Sequence, residues 1–175
     1  PAGISPFSHM EHLNLRHCTD VDVETIRSLT DLLAGAPLKR VYLGNCFHTS
    51  RCADNPQALS VALLDLLAVC SSSLEVLDLE NATFFRDSAA ERLSAMCNRL
   101  VKLVVSGTMI TIRGLWALTS MTGLRELTAD YCMLLTDVGE GNYPSAWSRL
   151  RVSTKRYGAR GITSTTPVPG APAML

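Results

Sequence analysis

The residues best suited to chemistry lie together in the stretch CFHTSRC, where Cys46, His48 and Cys52 offer three zinc-type ligands within one loop. A tetrahedral site needs a fourth ligand, and none lies nearby in sequence; His17 or Cys18 would have to approach from elsewhere in the fold. Paired C-x-x-C spacing is missing, so the pattern favours a structural use of these cysteines over a metal site. The four histidines, His9, His12, His17 and His48, read as surface residues. Phosphate loops of the form G-x-x-x-x-G-K, H-E-x-x-H zinc helices and G-x-S-x-G nucleophile elbows are absent. Nothing in these residues implies an enzyme, a metal or a cofactor. Asn81-Ala82-Thr83 is a formal glycosylation acceptor, of consequence only in a secreted protein.

The elements that must position such residues come from a repeat. The frame L-x-x-L-x-L-x-x-(N/C) fits MEHLNLRHC from Met10, LKRVYLGNC from Leu38, LEVLDLENA from Leu74, LVKLVVSGT from Leu100 and LRELTADYC from Leu124, with a degraded sixth match at Leu150. Starts are 28, 36, 26, 24 and 26 residues apart. Within each match the residues at positions 4 and 6 face one side of a short strand, and those at 3, 5 and 7 the other. Leu13 and Leu15, Val41 and Leu43, Leu77 and Leu79, Leu103 and Val105, and Leu127 and Ala129 then form an inner layer. One strand cannot bury that layer, but stacked neighbours can.

Between the strands the apolar period lengthens. DSAAERLSAMC places Ala89, Leu93, Met96 and Cys97 on one helical face, with Ser88 and Glu91 as a capping box. PQALSVALLDLLAVC follows Asn55 as cap, with Pro56 at the first helical position. DVETIRSLTDLLAG gives a helix ended by Gly35, and RGLWALTSM a shorter one. Alternating strand and helix predict an α/β chain with parallel strands on one surface and helices on the other.

Composition agrees with one folded unit. The chain has 175 residues, 47% of them hydrophobic, enough to bury a core. Its longest apolar stretch, Val61 to Cys70, contains Asp65 and is too short for a membrane span. The sequence begins at Pro1, and no signal or transit segment is legible. Formal charge is zero, yet residues 1–140 hold 11 basic and all 16 acidic residues (11 − 16 = −5). The C-terminal part carries Arg149, Arg151, Lys155, Arg156 and Arg160 with no acid, a basic arm suited to RNA or an acidic subunit. From Gly158 the sequence is rich in Gly, Pro and Thr, which predicts an extended or disordered tail over 158–175 after a domain over 1–157.

The units resemble the cysteine-containing subclass of leucine-rich repeats found in F-box and related proteins. Cys97-Asn98-Arg99-Leu100 matches that unit's opening, Cys18, Cys46 and Cys132 its closing cysteine, and Leu135-Thr136-Asp137 and Gly114-Leu115 parts of its helix entry. Ala82 and Thr108 depart from the closing cysteine, and Cys70 lies one residue too far from Leu74. The resemblance spans about residues 10–150 and implies a leucine-rich-repeat solenoid, a curved parallel sheet lined by helices, of about five repeats plus the tail. Cys18, Cys46 and Cys132 would sit in the turn after a strand, each giving a weak donor to a neighbouring carbonyl, while Cys70 and Cys97 end apolar helical faces. Free core thiols favour a reducing, intracellular compartment.

On such a frame the concave sheet exposes positions 3, 5 and 7. Arg40, Tyr42, Val76, Asp78, Lys102, Val104 and Glu126 are the expected partner-binding residues, with charge banded from basic through acidic Asp78 and Glu80 to mixed. Five strands about 17 Å long and about 4.8 Å apart outline about 400 Å², half of a standard contribution of about 800 Å² per partner. The loop FHTSRCADNPQ and the tail are expected to add surface. The function that follows is a non-enzymatic protein-binding scaffold, a subunit of a larger intracellular assembly that binds one or more proteins. Two alternatives stand beside it: an F-box type substrate-recognition module, which needs the sequence to be a fragment because nine residues before Met10 do not hold an F-box, and an RNA-associated subunit using the basic arm.

Overall fold

The computed structural model describes residues 7–47, 55–135 and 150–155. The loop ligands His48 and Cys52, the arm residues Arg149, Arg156 and Arg160, the helix-entry residues Thr136 and Asp137, and the tail 158–175 lie outside the described residues. In chain order the elements are β1 (His12–Asn14), α1 (Val23–Leu32), β2 (Arg40–Tyr42), α2 (Pro56–Cys70), β3 (Val76–Asp78), α3 (Asp87–Met96), β4 (Lys102–Val104), α4 (Ile112–Thr119), β5 (Glu126–Thr128) and β6 (Arg151–Ser153). The strands form one parallel sheet in the order of the sequence, and the four helices connect its first five strands, so the chain is α/β. None of these helices is long and apolar enough to cross a membrane.

Register follows the sequence frame residue for residue. Leu13, Val41, Leu77, Leu103 and Leu127 lie opposite one another across five strands. The degraded sixth match also becomes a strand, one residue earlier than a start at Leu150 would give: Val152 faces Leu127, and Arg151 faces Glu126. The inner layer closes against the helices in one core. Leu43, Leu79 and Val105 are fully buried, whereas Leu15, in the first unit, is only half-buried.

Hydrogen bonding extends well beyond the three-residue strands. The N–H at position 6 of each unit donates to the position-5 carbonyl of the next: Leu15 to Tyr42, Leu43 to Asp78, Leu79 to Val104, Val105 to Thr128 and Ala129 to Ser153, all at 2.8–2.9 Å. Position 8 repeats the pattern two residues on, and there the backbone is left-handed in the first five units: His17 (φ 64°), Asn45 (61°), Asn81 (61°), Gly107 (68°) and Tyr131 (57°). Reversing the sign of φ turns the chain out of the strand while its N–H still reaches the neighbour's carbonyl at 2.6–3.1 Å. Asn and Gly suit that conformation; His17 and Tyr131 adopt it at a cost of about 1–2 kcal/mol.

Two helices start and stop where the sequence places them, and α4 runs over Ile112–Thr119, one residue before the stretch RGLWALTSM at its start and two residues short of its end. Asp22 Oδ1 accepts from the Thr25 N–H at 2.9 Å, opening α1, and Gly35 (φ 82°) follows its end. Asn55 Oδ1 accepts from Ala58 N–H at 3.0 Å, with Pro56 first in α2. Thr111 caps α4. The capping box on α3 is a correction: the helix begins at Asp87, its N-cap is Arg86, and no side chain caps it. Ser88 is already inside the first turn. Asp87 acts forward instead, accepting from Thr111 N–H at 2.7 Å, Thr111 Oγ1 at 2.6 Å and Gly114 N–H at 3.1 Å. Gly114 permits this, since a Cβ there would lie 2.5 Å from Asp87 Oδ1. One carboxylate thus ties α3 to the start of α4.

Because Leu15 and Leu43 occupy the same position in adjacent units but differ in burial, truncation separates the two environments. Leu43→Ala should cost about 2–5 kcal/mol in urea unfolding, and Leu15→Ala clearly less. Equal losses would mean that the first unit is as closed as the second.

Candidate functional site

Positions 3, 5 and 7 project from the sheet face opposite the helices and line up in three rows across the strands. The first runs His12, Arg40, Val76, Lys102, Glu126, Arg151, and the second Asn14, Tyr42, Asp78, Val104, Thr128, Ser153. Arg16, Gly44, Glu80, Ser106, Asp130 and Lys155 follow two residues further along. Of the seven expected partner-binding residues, Arg40 and Lys102 are exposed and Tyr42, Val76, Val104 and Glu126 half-buried. Asp78 is a correction: expected in the open, it is only 1% exposed. Gly44, Ser106 and Asp130 are buried as well.

Asp78 is buried by a side chain from two strands away. Arg16, following β1, reaches across β2 and places Nε and Nη2 on Asp78 Oδ2, while Asp78 Oδ1 accepts from the Glu80 N–H at 3.0 Å. The crossing is open because the residue beneath it is Gly44, where a Cβ would come within 2.9 Å of the Asp78 carboxylate. On the way the guanidinium passes over the Tyr42 ring, 5.8 Å from its centroid. One member of the expected basic band, Arg16, therefore neutralises one member of the acidic band, Asp78. The signal was in the sequence, as Arg and Gly at position 7 of adjacent units followed by Asp at position 5 of the third.

Charges at the other end are settled in the same way. Glu126 receives Lys102 Nζ at 3.0 Å and Arg151 Nη1 at 3.2 Å. Asp130 Oδ1 accepts from Ser153 Oγ and from the Lys155 N–H, both at 2.7 Å, and Lys155 Nζ lies 3.9 Å from Oδ2. This corrects part of the basic arm. Arg151 belongs to β6, and both Arg151 and Lys155 are engaged by acids of β5 and its turn. At the other margin Lys39 bonds Glu11 at 2.7 Å. That hydrogen bond and the Lys39 charge hold the Glu11 carboxyl below its usual range, with lesser contributions from His12 and Arg40.

The closing cysteines do what their position suggests wherever a preceding unit exists. Cys46 Sγ donates to the Leu15 carbonyl at 2.6 Å and Cys132 Sγ to that of Val105 at 3.2 Å. Thr108, at the same position of the fourth unit, differs: its hydroxyl donates within its own unit, to the Val105 carbonyl at 2.7 Å. Cys18 is the exception and a correction: no described strand precedes β1, and its thiol is exposed. Cys70 donates to Leu66 and Leu67 at 3.5 Å, ending α2 as expected. Burial pushes Cys46 and Cys70 up to about 11 and Cys97 to about 12. Asn81 is also occupied, its amide nitrogen donating to Asn45 Oδ1 at 2.6 Å, and Asn45 in turn donates to Glu80 at 3.2 Å.

Among the described residues, no group of three His, Cys, Asp or Glu side chains is placed to hold a metal ion. His9, His12 and His17 are exposed, as expected. Compared with known proteins, the chain matches no family model and no curated protein.

Two measurements probe these contacts. A double-mutant cycle of Arg16→Ala with Asp78→Ala should give a coupling of about 1–3 kcal/mol, against about 0.3–0.5 kcal/mol for the exposed helical pair Glu24–Arg27. Equal couplings would deny that the bridge is sheltered. Thiol titration should find Cys18 reactive in the folded protein, its signal removed by Cys18→Ser, with Cys46, Cys70, Cys97 and Cys132 appearing only on unfolding. Unfolded thiols ionise near about pH 8.5. Stability carried by the neutral buried thiols is therefore complete below that pH and is lost as pH rises towards 11–12.

Proposed function

We propose that the chain is a non-enzymatic protein-binding scaffold of the cysteine-containing leucine-rich-repeat type, acting as a subunit of a larger assembly in a reducing compartment. The observation that carries this reading is the state of the outer sheet face. Its acids are satisfied within the chain, and Tyr42, Val76 and Val104 are left half-exposed among them. Internal compensation lowers the desolvation cost of covering such a face, and an aromatic with two aliphatic neighbours supplies an anchor. The parallel sheet with its strands in sequence order supports the same use, since the stacked units of a solenoid would offer an extended surface rather than a cleft. The five described cysteines are free, and four of them are buried, which suits a reducing compartment.

Size sets a limit on what the face does alone. Six strands about 4.8 Å apart, each contributing positions 3 to 7 at about 3.3 Å per residue, outline about 500 Å². A standard interface takes about 800 Å² from each partner, so a partner that grips this face also engages neighbouring surface. In affinity purification from the source cells, Tyr42→Asp and Val104→Asp should each deplete specific co-purifying proteins relative to wild type while circular dichroism stays unchanged. Recovery of the same proteins in the same amounts would reject the face as the docking site.

A further inference from the structure

We infer that the segment received by the outer face is acidic and apolar: it sets a carboxylate against Arg40 and lays aliphatic or aromatic side chains across Val76 and Val104. This rests on the docking role proposed above and adds the chemistry of the partner. Five cations stand in the outer-face rows. Arg16 is held by Asp78, Lys102 and Arg151 by Glu126, and Lys155 by Asp130. Arg40 is the one cation of these rows with no ion pair among the described residues. Its near acid, Glu11, is taken by Lys39 at 2.7 Å.

Arg40 also stands directly opposite His12 in the β1–β2 register, and both side chains are exposed. Two cation-forming groups face to face across a sheet repel whenever both are charged, and an anion laid between them turns that repulsion into attraction. On the other side of Arg40 lies Val76, with Val104 diagonally beyond it on β4 and Tyr42 two residues along β2. Strand spacing puts the apolar patch about 5–10 Å from the guanidinium. A helical partner spans that distance with side chains three or four apart, and an extended one with side chains two apart. The recognised pattern is thus Asp or Glu followed within two to four residues by apolar side chains. Elsewhere on the face Asp78, Glu126 and Asp130 are held by cations, and Glu80, which accepts from the Asn45 amide at 3.2 Å, is the one carboxylate among the described residues of these rows left for a basic segment.

The test is selection of a displayed random-peptide library on immobilised protein, followed by fluorescence anisotropy of the selected peptides with wild type, Arg40→Glu and Val104→Asp, each checked for an unchanged circular dichroism spectrum. Peptides carrying an acid next to apolar residues should be enriched. They should lose about tenfold or more in affinity to either variant and weaken as salt rises. Enrichment of neutral or basic peptides that are sensitive to Val104→Asp but indifferent to Arg40→Glu would overturn the acidic specificity and leave the docking face standing. Selected peptides indifferent to both variants, or no enrichment at all, would overturn the face itself.

Discussion

A strand of three residues cannot stand alone: it has two aliphatic side chains to hide and main-chain groups on both edges to satisfy. Every other feature of this protein follows from solving that problem by repetition. Each unit passes its N–H groups at positions 6 and 8 forward to the next unit's carbonyls, and the left-handed residue at position 8 keeps the last of these bonds while sending the chain towards the helices. The inner rows then stack aliphatic side chain on aliphatic side chain, and burial is complete in the second to fifth units, whereas Val152 in the sixth is only half-buried. The first unit shows what stacking contributes, because Leu15 and Cys18 keep an exposure that Leu43 and Cys46 have lost.

The same stacking constrains the opposite face. Residues that share a position are brought within one strand spacing of each other, so the charges of separate units cannot be chosen independently. The sheet resolves this by reaching sideways. Arg16 crosses a whole strand to Asp78, Glu126 is held from both sides, and Asp130 fastens the strand that follows it. What remains outward is a small apolar patch beside Arg40, a guanidinium with no ion pair among the described residues.

Much of the architecture was legible because it depends on period alone. Alternation at positions 4 and 6 gave the inner rows, and Asn55-Pro56 and Gly35 marked helix ends by local chemistry. Even the degraded match near Leu150 proved to be a strand, though a frame anchored on that leucine misplaces it by one residue. The features that escaped depend on what a neighbour lacks. Asp78 looked exposed because its own strand says nothing of Arg16, and the crossing exists only because residue 44 has no side chain. Cys18 looked like Cys46 in sequence and differs only in having no described unit before it. Ser88 and Glu91 have capping-box spacing, but the N-cap lies two residues earlier, at Arg86, and Asp87 serves the next helix instead.

Gly44 with Asp78, and Gly114 with Asp87, share their space so closely that each pair behaves as a single heritable character. Enlarging residue 44 would displace the carboxylate at 78 from its place under Arg16 and weaken the reason to keep an arginine there. Three positions spread over three units would then drift in concert, as would the pair joining α3 to α4. Lineages of this molecule should record that history as correlated replacement between residues far apart along the chain.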